Sequence, residues 1–261
     1  MKAKKVMCIL ISFIFVISFT ACTGGNNANN VSPFEKHNID YPDGYITDES
    51  GASSYNGLGD HFNSQYFSHL DFYNMNSSDN LTIIPNFKTY QQTTEYTCGA
   101  CAALMVLNYY GNNKYDEMTI AKMANISDKI GVGPKGIADF FNQIGWNVKS
   151  SLEYNGENTF NNTEEFEKWV IENLSAETPI MIDWIDWCGH WQVIIGYDTM
   201  GTKDNFGDDV IILADSYDTS DHYQDGYYVV PAERFYYMWE EGSCTGEAPK
   251  AQPWVIAEPI E

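Results

Sequence analysis

The sequence predicts an α+β fold, with helices in its first half and a largely antiparallel sheet in its second. Three observations carry this. The run over 99–110 is apolar nearly all round, as expected for a helix in the middle of a core. Further along, apolar residues recur at helical spacing. Beyond residue 178 the period shortens to two, in runs rich in Val, Ile and aromatics, and no strand–helix–strand alternation is seen.

Taken in chain order, LTIIPNF at 81–87 reads as a short strand broken by Pro85. The apolar helix over 99–110 follows, and Gly111 supplies a C-terminal stop. A short helix over 118–124 comes after Asp116. Ile137, Phe140, Phe141 and Ile144 then recur at i, i+3, i+4 and i+7 behind Gly133 and Pro134, and Gly145 ends the pattern. Asn162 and Glu165 form a capping-box pair ahead of an amphipathic helix carrying Phe166, Trp169, Val170 and Leu174. Strands are expected at 179–183, 190–197, 210–215 and 226–230. No internal repeat is apparent.

The N-terminus reads as a targeting segment. Lys2, Lys4 and Lys5 precede a short apolar stretch, and FTAC places Cys22 after two small residues in a pattern that resembles a bacterial lipobox. The expected organisation is a signal peptide and lipobox over 1–22, a tether and irregular extension over 23–80, and one working domain over 81–261. Export, with lipid anchoring at Cys22 to the outer face of the cell membrane, follows as the expected location. With Cys8 in the signal and Cys22 at the anchor, Cys98, Cys101, Cys188 and Cys244 remain for the folded part, too few for a disulfide scaffold of this length.

The formal charge of -22, from 36 acidic and 14 basic residues, argues against nucleic acid as a partner. A solvated acidic surface accounts for it, and a cationic peptide is the kind of partner such a surface would steer in.

The chemistry centres on QQTTEYTCGACAALMVLNYYG at 91–111. Cys98 opens the apolar helix, where unpaired N–H groups and the positive end of the dipole stabilise a thiolate. A cysteine nucleophile also needs a base, an acceptor that orients the base, and donors for an oxyanion. The histidines are His37, His61, His69, His190 and His222. His190 begins one predicted strand and Asp215 ends the next, so an antiparallel hairpin makes them neighbours. The register expected pairs His190 with Asp215, Ile194 with Ile211 and Gly196 with Asp209. Gln92, or Gln91 in its place, can donate to an oxyanion together with the backbone N–H of Cys98.

These residues resemble the papain-like bacteriocin-processing peptidases, which cleave double-glycine leaders, and their stand-alone relatives. The resemblance spans roughly 81–230 and rests on QTTEYTCGACAALMVLNYYG, GHWQVIIGYD and VIILADSYD. It implies a papain-like fold, with Gln92 as oxyanion residue, Cys98 as nucleophile, His190 as base and Asp215 as its orienting group. A peptide or protein is the substrate it implies, and no cofactor or metal is required. Asp215-Ser216 stands where Asp-Pro is more usual in the family, with the acid kept.

Three other readings stand beside this one. CGAC opening a helix also suits a thiol-disulfide oxidoreductase using Cys98 and Cys101, although QQTTEYT is no buried strand leading into such a motif. Cys98, Cys101, Cys188 and His190 have the residue types of a zinc site. A non-catalytic papain-fold binding module is the third, and acyl transfer through the same thioester is open. Cys101 is expected to pack as a compact hydrophobe, and Cys188 to line the site or pair with Cys244. Trp184, Trp187 and Trp191 wall a groove or pack in the core.

Overall fold

The computed structural model describes residues 40–43, 61, 63–218, 221–240 and 252–260. The expected signal, lipobox and most of the tether, together with Cys8, Cys22, His37 and Cys244, lie outside the described residues.

A short strand, β1 (Leu81–Ile83), precedes the central helix α1 (Cys98–Tyr109), in which every residue from Cys98 to Leu107 is buried. Because no face of α1 is polar, it is stable only when surrounded, and α2 (Glu117–Met123), α3 (Pro134–Gln143) and the sheet surround it. Asp116 caps α2 by accepting the Thr119 N–H at 2.7 Å. Gly111 and Gly145, both at positive φ, follow α1 and α3 where the chain must turn out of the helix. Asn162 caps α4 (Thr163–Ser175) by accepting the Glu165 N–H at 2.9 Å. The return half of the expected box is displaced by one residue, because the Glu165 carboxylate takes the Asn161 N–H instead.

Among the described residues the sheet has seven strands. Besides β1 they are β2 (Trp146–Ser150), β3 (Ile180–Trp184), β4 (His190–Asp198), β5 (Val210–Ala214), β6 (Tyr227–Pro231) and β7 (Trp254–Pro259), ordered β2-β7-β3-β4-β5-β6 with every pairing antiparallel. β1 pairs with the last part of β4. The two faces are covered by different helices. Gly99 of α1 abuts Trp191, whereas Trp184, cross-strand partner of His190 and therefore on the other face from Trp191, packs at a tilt against Phe235 of α5 (Ala232–Glu240), with ring centroids 5.0 Å apart. Phe166 of α4 joins Phe235, Tyr236 and Trp239 in an aromatic cluster there.

The order of helices first and strands afterwards needs correction. β2 intervenes between α3 and α4, α5 follows β6, and β7 closes the described chain inside the sheet. β2 alternates inward and outward side chains but is only five residues long, too short to stand out in the sequence; its pairing with β7, more than a hundred residues away, makes it a strand. Phe72 and Tyr73, from the segment expected to be irregular, lie in a single 3₁₀ turn and are buried in the same core.

Candidate active site

Cys98 is the first residue of α1 and is buried. The Thr97 side chain does not cap the helix; its hydroxyl pairs with that of Thr94 at 2.7 Å. The first-turn amides and the helix dipole are therefore left facing the thiol. Next to the nucleophile, Gly99 is needed for close approach, since a Cβ there would stand 2.5 Å from Val132 Cγ1 and 3.2 Å from Trp191 Cδ1.

His190, the first residue of β4, is buried and shares a 2.7 Å hydrogen bond between its Nε2 and Asp215 Oδ1. That leaves Nδ1 for Cys98, whose thiol lies close enough to the imidazole to help raise its pKa. Burial pushes the His190 pKa down, but the charge and hydrogen bond of Asp215, with the Cys98 thiol, hold it well above the usual histidine value. Burial likewise works against the Asp215 carboxylate. The His190 charge, the Tyr217 N–H and the Gln192 amide overcome it and hold the carboxyl below its usual range. The arrangement favours an imidazolium at His190 beside an ionised Asp215.

His190 and Asp215 meet through a different register from the one expected. Ile194 pairs with Leu213 instead of Ile211, and Gly196 with Ile212 instead of Asp209, with a β-bulge between Ile194 and Gly196. On the His190 side of the bulge the shift is two residues, which keeps the same side chains on the same face, and diagonal neighbours across a ladder lie within reach of long side chains. Extending the ladder one step past Val193 and Ala214 brings Gln192 opposite Asp215.

Gln192 is the residue that sequence reasoning missed. Fully buried, it donates from Nε2 to Asp215 Oδ2 at 2.8 Å and accepts from Trp184 Nε1 at 2.6 Å. Tyr217 N–H adds a third donor to Asp215, at 2.8 Å on Oδ1. The available signal was parity: Gln192 stands two residues from His190 on a strand and must share its face.

Gln92 is buried against the residue that follows Asp215. Its Nε2 donates to the Thr94 carbonyl at 2.7 Å, and its Oε1 accepts from Ser216 Oγ at 2.8 Å. Gln91 is also buried, with its amide nitrogen turned back on the Gln92 carbonyl at 3.4 Å. Behind this loop the buried Glu117 carboxylate accepts the Thr93 N–H at 3.0 Å. Burial raises its pKa, against the lowering effect of the Thr97 and Thr93 hydroxyls and the Thr93 N–H.

The other cysteines separate from the site chemistry. Cys101 is fully buried, its thiol donating to the Tyr90 carbonyl at 3.3 Å, and burial, with Glu117 and Cys98, pushes its pKa well up. A resolving cysteine needs access and thiolate character, and Cys101 has neither. Cys188 is free and exposed. Among the described residues no group of three or more His, Cys, Asp or Glu side chains is placed to hold a metal. Of the histidines, His61, His69 and His222 gather instead around Phe67 and Tyr223.

The tryptophans divide. Trp184 and Trp191 are core residues, while Trp187 is 62% exposed on the loop before His190. In that loop Trp187 (φ 49°), Cys188 (φ 69°) and Gly189 (φ 118°) are successive positive-φ residues. Trp187 leans on Tyr217 with ring centroids 5.3 Å apart, and Tyr217 OH donates to Glu95 at 3.3 Å. The loops before Cys98, before His190 and after Asp215 thus each give one residue to a single exposed wall.

No curated protein matches the chain. Among solved structures it is similar to the peptidase domain of Streptococcus ComA, a bi-functional ABC transporter involved in quorum sensing, at 15% identity and a TM-score of 0.40, over 67% of this chain and 99% of that one. The peptidase domain of Streptococcus mutans ComA is similar at 13% identity and a TM-score of 0.33, over 66% and 98%. A family model described as Peptidase_C39 like matches residues 84–247, which takes in Gln92, Cys98, His190 and Asp215. By that match the chain belongs to the Peptidase_C39 like family, and it is a cysteine peptidase-like hydrolase of papain-like α+β fold.

Proposed function

We propose that this enzyme is exported, is lipid-anchored through Cys22, and cleaves a peptide amide bond through a thioester on Cys98. The observation that carries the mechanism is the buried His190–Asp215 pair at 2.7 Å, with Cys98 at the start of α1 near enough to the imidazole to shift its pKa. The Cys98 thiolate attacks the scissile carbonyl carbon, forming a C–S bond and an oxyanion. Gln92 Nε2, whose second proton remains free of the Thr94 carbonyl, donates to that oxyanion. The intermediate collapses as the C–N bond breaks, and the His190 imidazolium gives its proton to the departing amine. Neutral His190 then takes a proton from water, which hydrolyses the thioester and regenerates the thiol. Asp215 holds the ring in orientation throughout.

Export rests on the residues from Lys2 to Cys22. The substrate is a cationic peptide or protein. Supporting this are the overall charge of -22 and the exposed wall of Trp187, Tyr217 and Glu95, where an aromatic face and a carboxylate suit a lysine or arginine side chain.

The test compares Cys98→Ala, Cys101→Ala and His190→Ala in labelling by an electrophilic peptide probe and in reduction of a test disulfide. Labelling is lost in the first, little changed in the second and reduced in the third. Disulfide turnover that depends equally on Cys98 and Cys101 and not on His190 would sink the proposal.

A further inference from the structure

A primary amide has two ends of similar shape and opposite hydrogen-bonding character, so a glutamine serves an oxyanion only if its nitrogen is held on the correct side. At Gln92 two groups settle this. The Thr94 carbonyl can only accept, so the end 2.7 Å from it is Nε2. The opposite end, Oε1, receives the Ser216 hydroxyl at 2.8 Å. Ser216 also holds the backbone at this position, its carbonyl accepting the Gln92 N–H at 2.9 Å. Fully buried, Ser216 has no water with which to exchange these bonds. It is the residue after Asp215, so the bonds join the loop carrying the acid to the loop carrying the glutamine, across 124 positions of sequence. Ser216 occupies the position where the resemblance leads one to expect proline, which has no hydroxyl to offer.

We propose that Ser216 is a positioning residue that fixes the amide of Gln92 with Nε2 toward the oxyanion, an inference that rests on the oxyanion role proposed for Gln92. Without the hydroxyl, Oε1 loses its donor and the amide is free to rotate away from its productive orientation. The Cys98–His190–Asp215 contacts do not include this hydroxyl and are left as they are.

Two reagents separate these effects without knowledge of the natural substrate. Iodoacetamide alkylates the Cys98 thiolate by displacement, forming a C–S bond and releasing iodide, with no oxyanion. p-Nitrophenyl acetate acylates the same sulfur through a tetrahedral oxyanion that collapses to release p-nitrophenolate. Both rates are followed at Cys98 by mass spectrometry on the otherwise unmodified protein.

In Ser216→Ala the ester rate falls roughly 3- to 10-fold, the scale of one hydrogen bond, while the iodoacetamide rate is unchanged and reports an intact thiolate and fold. In Gln92→Ala the ester rate falls on the order of 100-fold. Adding Ser216→Ala to Gln92→Ala lowers it no further, because the group that Ser216 positions is gone. An unchanged rate ratio in Ser216→Ala beside a lowered one in Gln92→Ala overturns the proposal for Ser216 alone. Parallel loss of both rates in Ser216→Ala also overturns it, since the serine then acts through the thiolate pair or the fold. An unchanged ratio in Gln92→Ala removes the oxyanion role and the inference together.

Discussion

Gln192 donates to Asp215 at 2.8 Å on the carboxylate oxygen that His190 does not use. With Trp184 bonded to the far end of the same amide at 2.6 Å, the base is oriented by a buried chain running Trp184, Gln192, Asp215, His190. Replacing Gln192 by Leu removes one donor from a buried carboxylate, at a cost of about 1.5–3 kcal/mol for a bond to a charged group. The expected outcome is slower iodoacetamide labelling of Cys98 at neutral pH and a lowered thermal midpoint, both measurable on one purified variant. Labelling as fast as in the parent would show that Asp215 orients His190 without this support.

His190 and Cys98 carry the chemical steps in the proposed mechanism. Replacing His190 by Ala is expected to lower peptide cleavage by about 10²- to 10⁴-fold, the usual contribution of a general acid–base group. Cys101→Ala should leave cleavage within a small factor of the parent, because that thiol faces the Tyr90 carbonyl. The comparison needs only a fluorogenic peptide that the parent enzyme turns over.

The pH dependence of stability has a sign that follows from the pair. The His190 pKa is raised by folding, so its contribution is whole below the ordinary histidine value of about 6.5 and is lost as pH rises through the raised value. The Asp215 pKa is lowered, so its contribution is present above about 3.9 and is lost as pH falls through the lowered value. Between these limits Asp215→Asn should be most destabilised relative to the parent, and the gap should narrow toward alkaline pH. Urea unfolding midpoints across that range check it; a gap that widens at alkaline pH would contradict the assigned direction for His190.

The aromatic and acidic wall makes a prediction about selectivity. Trp187→Ala and Glu95→Gln should each raise KM for peptides with Lys or Arg beside the scissile bond, by roughly 2- to 5-fold at an exposed cation–π site. Peptides with neutral residues there should be much less affected. Competition between paired Lys and norleucine peptides reads the effect directly, and equal losses on both would remove the cationic preference.

The aromatic cluster of α4 and α5 carries stability apart from the site. Phe166 is fully buried among Phe160, Phe206, Phe235, Tyr236 and Trp239. Its replacement by Ala is expected to cost about 3–5 kcal/mol, as large core truncations do, in a denaturant titration. Below the lowered midpoint, iodoacetamide labelling of Cys98 should remain at the parent rate.

By itself the sequence determined what local chemistry and periodicity can encode. The all-apolar α1 with Cys98 at its start, the caps at Asp116 and Asn162, the glycine stops and the four strands from 180 to 231 were legible there, because each depends on neighbours within a few residues. His190 and Asp215 were legible as neighbours, since any even shift of their ladder keeps them on one face. Tertiary structure alone decided the register itself, in which the bulge between Ile194 and Gly196 brings Gln192 level with Asp215. It alone made strands of β2 and β7, whose partners are remote in sequence, and it alone brought Ser216 to Gln92. Those features are set by side chains and backbone separated by 23 positions at Gln192 and Asp215 and by 124 at Gln92 and Ser216, competing for buried hydrogen bonds, and no local pattern records the result of that competition.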